Sequence, residues 1–136
     1  MSILIDTDLL SLLERKRVPA RLTAWLEKND RPLFVSVVSL AELQHGVEGA
    51  PENHRPALAA WLNDTRRQFA EATEPLSEPV LVRWKRLLAD LKSARRTMTC
   101  EDSLIAATAL FHGHAVATHN RRHFEPSGVE IIDPLA

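Results

Sequence analysis

Residues Ile3 to Leu10 read ILIDTDLL. Ile3, Leu4 and Ile5 are apolar on consecutive positions, the pattern of a short strand buried on both faces of a parallel sheet. Two acids spaced two apart, Asp6 and Asp8, close the run, and Leu9, Leu10, Leu12 and Leu13 then resume at helical spacing. Asp6 therefore stands where a buried parallel strand passes into a helix. Ligands of open α/β sheets bind outside that carboxyl edge, so an acid placed there carries more functional weight than one on a helix face.

The same alternation continues along the chain. Leu9 to Arg15 predicts a short helix, and Pro19 opens a second one running to about Lys28, with Leu22, Trp25 and Leu26 on one face. Asn29 to Pro32 is a turn. LFVSVV, Leu33 to Val38, is a second buried strand, and Ser39 begins the helix SLAELQHGV, which stops near Gly46 or Gly49. After a connection at Glu48 to Pro51, an amphipathic helix runs from Asn53 to about Ala72 with Leu58, Trp61, Leu62, Thr65 and Phe69 on its stripe. Glu74 to Leu76 is a short strand or a link. Ser77 caps a helix that carries Pro79 in its first turn and ends in the basic cluster Lys92, Arg95 and Arg96. Thr99 caps CEDSLIAATALFHG, which closes at Gly113. His114 to Thr118 is a strand, Asn120 to Phe124 a turn of helix, and Val129 to Ile132 a last strand. The order predicts an α/β fold with more helix than strand.

At 136 residues, 45% of them hydrophobic, the chain is expected to form one domain, residues 1–136, with a real core. A net charge of -1 neither requires nor excludes a nucleic acid, because local patches decide that. One cysteine, Cys100, excludes an internal disulfide framework and fits a reducing cytosol. The sequence shows neither a secretory signal pattern nor an apolar run of membrane-spanning length, so a cytoplasmic protein is expected.

Three acids stand at comparable places. Asp6 follows the first strand, Glu42 falls in the first turn of the helix from Ser39, and Asp102 falls in the first turn of the helix from Cys100. In a doubly wound sheet all three can face one crevice. Clustered carboxylates repel one another at neutral pH unless a cation joins them. Oxygen ligands without His or Cys suit Mg²⁺ or Mn²⁺ rather than zinc. The chemistry such a centre supports is attack of water on a phosphodiester, with one or two ions. Each acid also has a plainer role. Ser39 and Glu42 form a capping box by spacing, Asp102 is a favourable first-turn charge after Thr99, and Asp8 caps the first short helix.

Four segments together, ILIDTDLLSLL, VSVVSLAELQHGV, EDSLIAATALFHG and VATHNRRHFEPSGVEIIDP, resemble PIN-domain ribonucleases. More narrowly they resemble VapC-type toxins of bacterial toxin–antitoxin pairs, in the FitB-like branch. The resemblance spans nearly the whole chain and implies a three-layer α/β/α fold with a central, mostly parallel sheet. It implies cleavage of RNA, often transfer RNA, with Mg²⁺ or Mn²⁺ held by Asp6, Glu42 and Asp102. The family's fourth position, often Asp, falls on Asn120, a neutral and weaker ligand, and Asp8 replaces the Asn usual at its place. Thr7, Asp8 and Thr118 are expected around the ligands or the substrate. The resemblance also implies a VapB-like antitoxin partner and pairing of copies as a homodimer, or as a heterotetramer or larger with the antitoxin.

RNA binding requires positive charge near the acids. Arg121 and Arg122 follow Asn120, and Arg95 and Arg96 precede the Asp102 helix; these are the candidate phosphate contacts, against the plainer reading of a solvated basic face. His119 and His123 read first as surface histidines, and Trp25, Trp61 and Trp84 as core. His45 and Gln44 belong to the resemblance but carry no assigned chemistry. Two other readings compete. One is a catalytically weak PIN-domain regulator that binds RNA or a partner protein, toward which Asn120 points. The other is a haloacid-dehalogenase-type phosphatase, which also begins Asp-x-Asp after a strand but needs a downstream lysine. Lys16, Lys28, Lys85 and Lys92 follow Asp8, none at an apparent strand end.

Overall fold

In the computed structural model, which describes residues 1–136, Ile3–Ile5 form strand β1, and every residue of it is buried. It pairs in parallel on both sides. Ile3 and Leu4 lie opposite Leu33 and Phe34 of β2 (Leu33–Ser36), and Ile3, Leu4 and Ile5 lie opposite Ala115, Val116 and Ala117 of β4 (Ala115–Ala117). Two-residue strands, β3 (Thr73–Glu74) and β5 (Ile131–Ile132), complete a five-stranded sheet of order β3-β2-β1-β4-β5. All four pairings are parallel. Full burial of β1 and β4 requires cover on both faces, and the helices supply it.

Helices α1 (Thr7–Leu12), α2 (Ala20–Lys28), α3 (Val37–Glu48), α4 (Arg55–Gln68), α5 (Glu78–Ala94), α6 (Cys100–His112) and α7 (Arg121–Phe124) follow in chain order. One face carries Leu4 and Val116 against Leu87 and Leu91 of α5, Ile105, Ala106 and Ala109 of α6, and Phe124 of α7. The other carries Ile3, Ile5, Val35 and Ala117 against Leu9 and Leu10 of α1, Leu22 of α2 and Phe69. The three-layer α/β/α expectation matches this arrangement. Trp25 and Trp61 pack half-buried against the second cluster and Trp84 against the first, where its Nε1 donates to Ser103 Oγ at 2.8 Å. A polar bridge also crosses the first face: Glu74 Oε2 accepts from Nε2 of His112 at 2.8 Å and of His114 at 3.1 Å, and the His114 ring stacks on Phe34.

Several boundaries differ from the sequence expectation. Asp6, not Asp8, caps α1: its side chain accepts from Leu9 N. Val37 and Val38 belong to α3 rather than to β2, because Ser36 Oγ accepts from Val38 N at 3.0 Å and starts the helix there. Ser39 is therefore an interior residue, Glu42 lies in the second turn, and the capping box is absent. Helix α4 is shorter at both ends than Asn53 to Ala72. Phe69 is buried in the core, and Thr73 Oγ1 donates to Phe69 O at 2.7 Å, so the chain turns there and enters β3 at Thr73. Ser77 and Thr99 cap α5 and α6 as expected. No helix is long and apolar enough to cross a membrane.

Candidate active site and metal centre

The sheet order sets β1 between β2 and β4, so the segments leaving these three strands meet at one edge. Asp6 ends β1. Its N–H donates to Ala117 O of β4 at 3.0 Å, and its extended backbone (φ -74°, ψ 165°) turns the side chain back as the cap of α1. Oδ1 accepts from Leu9 N at 2.8 Å and Oδ2 from Thr118 Oγ1 at 2.5 Å. Asp6 is only 3% exposed. Burial raises its pKa to about 6, against the two hydrogen bonds that favour the charged form, and the charges of Asp8 and Asp102 raise it further.

Glu42 projects from α3 toward α1, where Thr7 Oγ1 donates to its Oε1 at 2.6 Å; the same hydroxyl oxygen lies 2.9 Å from Ser39 Oγ. Burial holds the Glu42 carboxyl above its ordinary range, opposed by Thr7, and Glu101, Asp102 and Asp8 push the same way as burial. Asp102 enters from the first turn of α6, with its N–H donating to Thr99 Oγ1 at 3.1 Å. Burial raises it too; Thr99 and His123 oppose, and Asp8 and Glu101 add to the rise. His123 Nδ1 lies 3.4 Å from Asp102 Oδ2. Asp6, Glu42 and Asp102 thus feel one another or share the same neighbours, and these three are the groups with clearly displaced pKa values. Three carboxyls raised chiefly by burial at one sheet edge mark a candidate functional site.

Asn120, at the start of α7, uses its side chain on Asp8: Nδ2 donates to Asp8 Oδ2 at 2.8 Å. Its backbone N–H donates to Thr118 Oγ1 at 2.9 Å. Arg122 and His123 share a surface depression with Thr97, Met98, Thr99 and Asp102, and Arg121 and Arg122 share the adjoining one with His119 and Asn120. His119 itself turns to Asp133, 3.3 Å away. Arg95 and Arg96 lie exposed at the end of α5 and make no hydrogen bond or ion pair to the acids. Arg95 closes that helix in the left-handed conformation, φ 55°. None of the lysines Lys16, Lys28, Lys85 and Lys92 forms an ion pair with an acid of the site.

Two features escaped the sequence reading. Glu101 acts electrostatically on both Glu42 and Asp102, and its adjacency to Asp102 was the available signal. A largely apolar groove formed by Val37, Val38, Ala41 and Leu76 adjoins Glu42, His45 and Glu101. It was hidden because Val37 and Val38 read as strand.

The donor set fits a hard divalent ion in chemistry: carboxylate oxygens, with no Cys or His bound to Asp6 or Glu42. No three His, Cys, Asp or Glu side chains stand close enough together, as they are placed, to enclose an ion. The family profile described as PIN domain matches residues 3–128. VapC ribonuclease Y4jK of Sinorhizobium fredii is 29% identical, over 97% of this chain and 96% of that protein. Toxin FitB of Neisseria gonorrhoeae is 28% identical, over 97% of each. The solved structure of FitAcB from Neisseria gonorrhoeae superposes with a TM-score of 0.88 at 28% identity, over 97% of each chain.

Proposed function

We infer that this chain, which belongs to the PIN-domain family, is the endoribonuclease toxin of a toxin–antitoxin pair. The observation that carries the reading is the meeting of Asp6, Glu42 and Asp102 at one sheet edge with all three carboxyls raised. Asp6, Glu42 and Asp102 would hold Mg²⁺ or Mn²⁺. When bound, the metal supplies a Lewis acid for the phosphodiester and lowers the pKa of the attacking water.

The protein's own contribution is placement. Leu9 N and Thr118 Oγ1 hold the two oxygens of Asp6, so its carboxylate cannot rotate away. Thr7 fixes Glu42 through one oxygen and leaves the other to a ligand. The groups that could meet RNA phosphates are Arg121 and Arg122, beside Asp102 and Asn120. Exposure and distance from any acid contact leave Arg95 and Arg96 a weaker claim. A structured RNA such as a transfer RNA is the substrate class we assign. A VapB-like antitoxin is the partner, with the assembly a homodimer of toxins or a heterotetramer or larger. We place the protein in the cytoplasm.

Purified chain freed of antitoxin, incubated with total cellular RNA, should cut a few defined RNAs in Mn²⁺ or Mg²⁺ and none in EDTA. Folded protein that binds RNA yet cuts none in either metal would replace this reading with that of a binding regulator. Arg121→Ala combined with Arg122→Ala should weaken RNA binding and reduce the slope of log affinity against log salt by about 1.5 to 2, since each lost phosphate contact removes about 0.7 to 1. An unchanged slope would take both arginines out of the interface.

A further inference from the structure

We propose that the outer face of α5 is a basic track that holds the body of a structured RNA while its cleaved phosphate lies at the acids; the proposal rests on the assignment of the chain as a ribonuclease. Residues 78–96, which are α5 and the two residues that close it, hold six Lys and Arg against two acids, Glu78 and Asp90. The rest of the chain holds eleven Lys and Arg against sixteen acids. A net charge of -1 therefore conceals a sharp division. Positive charge gathered along one helix is the electrostatic footprint of a polyanion.

These cations are not neutralised within the fold. Lys85, Arg86, Lys92, Arg95 and Arg96 are exposed, and none forms a salt bridge within 4 Å. Only Arg86 has an acid at the spacing that pairs charges on a helix, Asp90 four residues on, and that pair is open too. The negative end of the helix dipole accounts for Lys92 and Arg95. It does not account for Lys85 and Arg86, which lie more than two turns before that end. The Lys85 ammonium sits 5.1 Å from the centre of the Trp84 ring, a contact that steadies it and leaves its charge intact.

Lys85 and Lys92 are seven residues apart, so they stand on one line about 10 Å from each other along the helix axis. Leu87 and Leu91 take the other side of the helix into the core. The line leads toward the acids. Arg96 is followed directly by Thr97, which shares a depression with Thr99, Asp102 and Arg122. The track thus continues the surface assigned to Arg121 and Arg122. Arg95 and Arg96, set away from the acids, become its joint rather than contacts at the cut. Asp6, Glu42 and Asp102 repel a phosphate backbone until a cation joins them, so the hold on the RNA must come from elsewhere on the surface. The phosphates of a folded RNA extend well beyond the cut, and duplex RNA is recognised mostly by its shape and backbone.

The test is binding of unfractionated transfer RNA to the full chain in EDTA, where the RNA stays whole, followed across salt. Lys85→Gln, Arg86→Gln and Lys92→Gln together should weaken binding by about tenfold or more at about 50 mM salt, and lower the slope of log affinity against log salt by about 2 to 3. Lys85→Gln with Lys92→Gln alone should lower it by about 1.5 to 2. Lys16→Gln, Arg17→Gln and Lys28→Gln together remove the same charge from exposed positions elsewhere and should bind like the parent. Both triple variants should melt close to the parent, because all six sites are exposed. An equal loss in the two triple variants would show that net charge alone matters and would overturn the track. So would a track variant that binds like the parent, or a parent that binds no transfer RNA in EDTA. Polyglutamate bound by the parent as tightly as the RNA, and lost in the track variant, would replace RNA with an acidic protein segment as the occupant. Cleavage in Mn²⁺ is scored separately. A parent that cuts this RNA while the track variant binds it unchanged loses only the track. A parent that binds the RNA through the track and never cuts it keeps the track and loses the ribonuclease assignment.

Discussion

Asp6→Asn abolishes RNA cleavage, a fall of about 10³-fold or more, and raises the stability of the metal-free chain at pH 8. A thousandfold corresponds to about 4 kcal/mol of lost transition-state stabilisation, a fair expectation for the acid most fully enclosed by the site. The stability gain follows from linkage. Asp6 has its pKa raised from 3.8 to about 6 in the folded chain. Between those values the folded state holds a proton that the unfolded state has released. Stability is therefore lost as pH rises through this window and stays lost above it. The full difference is worth about 3 kcal/mol. Asparagine still accepts from Leu9 N, but its amide NH2 now faces the Thr118 hydroxyl, whose proton loses the carboxylate oxygen it donated to. That mismatch cancels part of the gain, so a net of about 1–2 kcal/mol is expected. Melting of both chains in EDTA at pH 5 and pH 8 checks it: the advantage of Asp6→Asn should grow with pH. An advantage equal at the two pH values, or cleavage at the parental rate, would remove Asp6 from the metal centre.

Phe124→Ala should cost about 3–5 kcal/mol of folding stability, the usual range for a large aromatic removed from a packed core. Phe124 is fully buried in the cluster with Leu87, Leu91 and Ile105. It is also the anchor of α7, a four-residue helix with no side-chain cap bond of its own. The same short helix begins at Asn120 and carries Arg121, Arg122 and His123. Loss of Phe124 should therefore reach the site as well as the core, loosening the Asn120 contact to Asp8. Urea unfolding gives the first effect and Mn²⁺ affinity at low temperature the second. Phe124→Leu, which keeps most of the volume, should recover the larger part of both. A Phe124→Ala chain within about 1 kcal/mol of the parent would show that α7 is held by something else.

The layers were legible because they depend on local pattern, and so was the position of Asp6 at the end of a buried strand. Apolar runs at Ile3–Ile5 and Leu33 to Val38 read as parallel strands, and Ser77 and Thr99 read as helix caps, which they are. The errors have physical causes. A cap accepts from a backbone N–H, which any residue at the third helical position supplies, so nothing in Leu9 marks Asp6 rather than Asp8 as the cap. Val37 and Val38 continue an apolar β-branched run, and only the hydroxyl of Ser36 turns the chain into a helix there. The Asn120–Asp8 bond could not be read at all, because the order of the sheet, and not any local spacing, brings residues 112 apart into contact.

That order also sets when a nascent chain can become active. β1 is made well before β4, one of its two neighbours, whose following residue, Thr118, holds Asp6. At about 5–20 residues per second of synthesis, the ribosome needs roughly 6 to 22 s to travel the 112 residues between Asp6 and Thr118. Until then Asp6 has no Thr118 to buttress it, and α7 with Arg121 and Arg122 has not been made. Asp6 thus gains its partner only after the chain through Thr118 has been made, so the two ends of this contact are assembled late and together with the segment that follows β4.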